Sequence, residues 1–155
     1  MPSIHDPFAP SRLARVSHAV YSLLVAFPIA CFTLALCTDI FYWQTSNLMW
    51  LEFSAWLLLA GMITGVAALP FGAIDFFSDD ELRTQGSAWA HAIGRILVLI
   101  LASFNNLIHA ADGWTAVMPW GLTFSLLTVL VMLVTAALAA TRVHAPGFGG
   151  RRYYV

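Results

Sequence analysis

Apolar residues follow one another along this chain with few polar interruptions, in four blocks at about 17–42, 48–71, 88–110 and 116–141. Each block has the roughly 20 residues needed to cross the hydrocarbon core of a bilayer. Backbone N–H and C=O groups find no water there, so a spanning segment must bond internally. None of the blocks alternates as a barrel strand does, and four transmembrane helices follow. The connections, Trp43–Asn47, Gly72–Ser87 and Ala111–Thr115, are short. Short loops place consecutive helices side by side and antiparallel. The pattern predicts an all-α integral membrane four-helix bundle in up-down-up-down order, with tails at 1–16 and 142–155. Pro28 is expected to bend the first helix and Pro70 to help end the second. Gly61 and Gly65 form a GxxxG whose flat surface serves either contact within the bundle or dimerisation.

Composition sharpens this picture. The 155 residues are 60% hydrophobic and 10% charged, with a mean hydropathy of +0.79, far from the roughly 25% charged of a soluble domain. The chain has no lysine, and every arginine but Arg95 lies in a tail or in the second loop. By the positive-inside rule both termini and that loop are cytoplasmic, as in a multi-pass protein of a bacterial inner membrane. Tyr42, Trp43, Trp50, Trp114 and Trp120 fit the outer aromatic belt and Trp89 the inner one. The partner this implies is the lipid bilayer, and a net charge of −1 with no basic stripe argues against nucleic acid. Cys31 and Cys37 are six residues apart, about 120° around a helix, which suits neither a disulfide nor a thiolate pair. Arg12 and Arg15 ahead of the first block resemble a signal sequence, but its apolar stretch exceeds the usual length, and retention as a helix is expected.

Polar groups at membrane depth are costly, and they single out the informative positions. In the third block His91, Arg95, Asn105 and His109 fall within an arc of about 80°, a stripe expected to face the bundle interior. The fourth block offers only Thr123, Ser125, Thr128 and Thr135, and is expected to act as scaffold. Depth sorts the ionisable residues into two groups. An inner cluster holds His18, His91 and Asp75, with Arg95 a turn deeper; an outer cluster holds Asp39, Glu52, His109 and Asp112. His144 in the C-terminal tail is expected to be solvated. Imidazoles at matched depth on two helices, His18 and His91, meet the requirement of haem b, with Arg95 available to a propionate. With Asp75 they also form an N/N/O set for zinc or iron. Asp39, Glu52 and His109 offer a second metal or proton site, and the whole stripe a proton relay. A fourth reading has no cofactor, the same residues pairing only to hold the helices together or, near helix ends, facing water. No GxSxG, HExxH, P-loop or GxGxxG pattern occurs, which weakens hydrolase and nucleotide-binding readings.

The string HAVYSLLVAFPIACFTLALCTD from His18 to Asp39, then GAID at Gly72–Asp75, Arg83, and His91 opening the third helix, resembles the predicted membrane proteins grouped as domain of unknown function 2231. The likeness spans roughly Ser17 to Thr141. It departs from the family pattern at Ala19, where the resemblance implies Pro, and at Arg95, where it implies Asn. A positive Arg95 disfavours a nearby dication and favours an anion or a propionate. The resemblance implies the fold and the choice of residues, and no activity. The function expected from the residues is cofactor binding, haem b or a divalent metal, for electron transfer or within a membrane redox complex. The alternatives are a cofactor-free assembly protein and a proton-coupled small-solute carrier, the last as a homo-oligomer.

Overall fold

In the computed structural model, residues 12–78, 86–110 and 117–143 are described, with side chains from Ser22 onward except those of Asp75, Ser78, Ser87 and 139–143. Four α-helices form: α1 (Arg12–Thr45), α2 (Leu48–Ser78), α3 (Gly86–Ala110) and α4 (Leu122–Val143). Four stretches are long and apolar enough to cross a membrane: Ser22–Thr45, Leu48–Ile74 and Ala88–Ala110 within α1 to α3, and Val117–Leu138, which begins just before α4. The outer faces carry large apolar side chains, Trp56 at 70% and Ile63 at 61% exposure among them, as lipid-facing helices must.

Several boundaries differ from the expected ones. Pro70 does not end α2, which continues two further turns to Ser78. Within a membrane helix the lost N–H bond can be made good by neighbouring helices and small backbone adjustments, so proline interrupts less. Pro28 likewise lies inside α1. The first connection shrinks to Ser46 and Asn47. Ser46 takes a left-handed φ of 52° and its N–H donates to the Tyr42 carbonyl at 2.8 Å. Asn47 then caps α2, its Oδ1 accepting from the Met49 N–H at 3.0 Å. The fourth block is broken near its start. Val117–Gly121 is a kink, with Met118 in an extended conformation (φ −109°, ψ 126°) and a cis Met118–Pro119 bond before α4 begins.

Contacts between neighbours run antiparallel, residue numbers rising on one helix as they fall on the other. Thr38 meets Ser54 and Cys31 meets Gly61 between α1 and α2; Asn105 meets Ser125 and Gly94 meets Thr135 between α3 and α4. Met62 and Gly65 of α2 meet Ser103 and Leu99 of α3. The GxxxG glycines therefore serve contact within the bundle. A Cβ on Gly61 would lie 2.6 Å from Phe32 and one on Gly65 2.7 Å from Leu99, so both face α1 and α3. The centre of the bundle is a dry layer of Phe32, Ala35, Leu58, Val98 and Ala102.

Candidate functional site

The dry layer divides the interior in two. At the end where α1 meets α2, Asp39 is fully buried in the membrane-spanning part of α1, and three hydrogen-bonding groups from α3 and α4 close around it. His109 Nε2 lies 3.0 Å from Asp39 Oδ1, with neither side chain exposed. The Ser125 hydroxyl donates to Asp39 Oδ2 at 2.5 Å, and Asn105 Nδ2 donates to Ser125 Oγ at 2.7 Å. His109 Nδ1 lies 3.0 Å from the Asn105 carbonyl oxygen, one turn earlier in α3.

These bonds fix where protons sit. A backbone carbonyl only accepts, so Nδ1 of His109 carries a hydrogen. Its Nε2 then either donates to a carboxylate or accepts from a carboxylic acid. One proton thus lies on the Nε2···Oδ1 edge in both forms, and the pair is neutral overall, as imidazolium with carboxylate or imidazole with acid. A neutral pair costs less at this depth than two unpaired charges. Gly121 completes the seat, since a Cβ there would stand 2.9 Å from both His109 Cε1 and Val117 Cγ1. Beside the cluster Thr38 and Ser54 join α1 to α2 through their hydroxyls, 2.6 Å apart. One atom stands out: Asn105 Oδ1 is buried and has no hydrogen-bond partner among the described residues.

Of the outer residues singled out by sequence, the structure brings together Asp39 and His109. It does not bring Glu52 to them. Leu51 and Ser54 point inward from α2, and the turn geometry puts Glu52 between them on the exposed side. The expected Asp39–Glu52–His109 metal set is therefore not assembled, and the described residues hold no group of three or more His, Cys, Asp or Glu arranged to bind a metal. Asp112 and His144 lie outside the described residues. The idea that Asp39 faces water is also overturned, because Asp39 is 0% exposed. Sequence reasoning missed Ser125, which makes α4 a working part of the cluster and more than scaffold. Serine is too common in membrane helices to stand out, and only its level opposite Asp39 marks it.

At the other end the helices leave a cavity of about 110 Å³, lined on α3 by His91 and Arg95 and elsewhere by Pro28, Phe32, Gly65 and Thr135. His91 and Arg95 are half-buried. The Arg95 guanidinium lies over Gly72 of α2, where a Cβ would be 2.8 Å from its Nη1; this is one turn before Asp75. Close approach of α3 to α4 here depends on Gly94, whose added Cβ would overlap Thr135 Oγ1. His91 and Arg95 thus share one space, as the inner cluster requires, while the side chains of His18 and Asp75 lie outside the described residues. The α3 stripe is not continuous, since Val98 and Ala102 of the dry layer occupy the same face between Arg95 and Asn105.

No curated protein and no solved structure matches this chain. A family model described as predicted membrane protein (DUF2231) matches residues 17–149, and the chain, with its four membrane-length helices, belongs to that family.

Proposed function

We propose that this protein is a proton-coupled carrier of a small solute, in which protonation at Asp39 and His109 is linked to occupancy of the cavity beside Arg95. The supporting observation is the fully buried Asp39–His109 pair, two titratable side chains 3.0 Å apart inside membrane-spanning helices. Ionisable groups are rare at that depth and mark proton and substrate paths when they occur. The cavity suits a solute of a few heavy atoms, since about 110 Å³ compares with roughly 30 Å³ for one water in the liquid. Coupling runs through the helices, because the dry layer separates the two sites. Helix α3 carries His109 and Arg95, and α1 carries Asp39 and Pro28, so a shift of either helix is felt at both ends.

The test is an acid jump on proteoliposomes with a pH dye inside, alongside infrared titration of the protein in nanodiscs. Acidification gives a carboxyl band absent from Asp39→Asn, and inward proton movement that the variant lacks and Glu52→Gln keeps. A carboxylate that never titrates, with no proton movement, removes the proposal and leaves a network that only pins helices together.

A cofactor reading has one observation in its favour, that His91 and Arg95 line the same cavity. Pockets that enclose drug-sized ligands occupy roughly 300–1,000 Å³, so this space is small for haem b, and a metal ion there would have the charge of Arg95 against it. His18 or Asp75 would have to join His91 as a ligand. The redox-subunit role in a bacterial inner membrane belongs to this reading. An absorption spectrum and metal analysis of the detergent-purified protein decide it: a Soret band or stoichiometric zinc or iron, lost in His91→Ala, is required.

A further inference from the structure

Asn105 presents a donor to Ser125 while its own acceptor is buried and has no partner among the described residues. An unpaired amide oxygen in a dry bundle is unfavourable, yet a leucine at this position would have avoided it. The feature becomes intelligible if Asp39 gains a proton. With His109 donating to Oδ1, the remaining place for an incoming proton is Oδ2, which now accepts from Ser125. Once Oδ2 carries hydrogen it must donate, and Ser125 Oγ is the atom it faces. Ser125 then turns its own hydrogen away from Asp39 and needs an acceptor. Rotating the Asn105 amide by half a turn supplies one, Oδ1 taking the place of Nδ2.

We propose that Asp39 Oδ2 is the binding site for an incoming proton and that Ser125 and Asn105 form a reversible hydrogen-bond chain that keeps Asp39 and Ser125 hydrogen-bonded in both states. Water at the membrane face delivers the proton as hydronium. One O–H bond breaks in hydronium and one forms at Oδ2, and no electrons are exchanged. The pair goes from neutral to a charge of +1, held on the imidazolium of His109. That residue lies in the last turn of α3, where unpaired carbonyls favour positive charge. Among the described residues the groups around Asp39 Oδ2 are few. Helix α3 brings His109 and, through Ser125, Asn105; α4 brings Ser125; the buried hydroxyls of Thr128 and Ser54 are bonded instead to the Phe124 carbonyl and to Thr38. The Val117–Gly121 turn has no titratable side chain, and Glu52, the acid of α2 at this level, is exposed. Serine and asparagine are what such a chain needs, one to relay a hydrogen and the other to act as donor or acceptor by rotation.

This inference rests on the proton-coupled reading, and the experiment separates the two. The chain has three asparagines, so the full-length double variant Asn47→Asp with Asn106→Gln leaves Asn105 as the only side-chain amide of its type. A carboxylate in place of the Asn47 amide still accepts from the Met49 N–H, so the cap of α2 is kept. With ¹⁵N-asparagine in nanodiscs, the Asn105 amide resonances and the infrared carboxyl band of Asp39 are followed through an acid titration. Both are expected to move with one midpoint. In Ser125→Ala the carboxyl band persists and the Asn105 shift is lost, the signature of a relay through the hydroxyl. A carboxyl band with an unmoved Asn105 amide in the unsubstituted Ser125 protein overturns the chain and spares the carrier. Absence of the carboxyl band overturns both.

Discussion

The two ends of this bundle bury polar groups in opposite ways. Around Asp39 the helices close completely, and all but one buried side-chain polar atom among the described residues is hydrogen-bonded across or along a helix. Around Arg95 a cavity remains beside two half-buried basic side chains, although Gly94 holds α3 close to α4 there. The difference follows from what each helix presents. Ser54 meets Thr38 and Asn105 meets Ser125, short side chains that let backbones approach and bond directly. At the other end Pro28 removes a helical hydrogen bond from α1, and the long side chain of Arg95 leans from α3 toward α2 over Gly72. A closed polar cluster holds helices in place, whereas a cavity gives them room to change spacing.

That contrast is most directly broken at Asp39. Asp39→Leu strands His109 Nε2 and the Ser125 hydroxyl. At about 1–2 kcal/mol for each interhelical hydrogen bond, it should cost about 2–4 kcal/mol in reversible unfolding from mixed micelles. Gly94→Ala comes next, since its Cβ overlaps Thr135 and forces α3 from α4, an overpacking cost of about 1–3 kcal/mol. Adding Thr135→Ala should return part of that loss in the same assay. Ala68→Val, which extends into the cavity wall, is expected to stabilise by up to about 1 kcal/mol while reducing proton movement in proteoliposomes, because filled space no longer admits solute. The smallest effect belongs to Glu52→Gln. This exposed acid lies off the cluster, and unfolding should change by no more than about 0.5 kcal/mol.

The four spans were legible because hydrophobic length alone sets them. The helix ends were not, since helical hydrogen bonding does not stop where lipid stops; α2 passes Pro70 and runs on to Ser78. Asp39 and His109 were legible as outer polar residues of matched depth, and the stripe on α3 gave the correct face for His109 and Asn105. Glu52 shared their depth and was misassigned, because depth carries no information about which side of α2 faces inward. The inward face was in fact marked by the small residues Ser54, Gly61 and Gly65, spaced for one side of a helix. Ser125 was overlooked for want of charge. The break at Val117–Gly121 could have been suspected from Pro119, which sits too far into the fourth block to be a first-turn proline.

Pro28 also has a chemical consequence for the cavity. A proline has no N–H, so the carbonyl of Leu24, four residues earlier in α1, is deprived of its helical donor. Both Leu24 and Pro28 border the cavity. The loss of that donor is a property of position 28, and no change of side chain at position 24 would restore it.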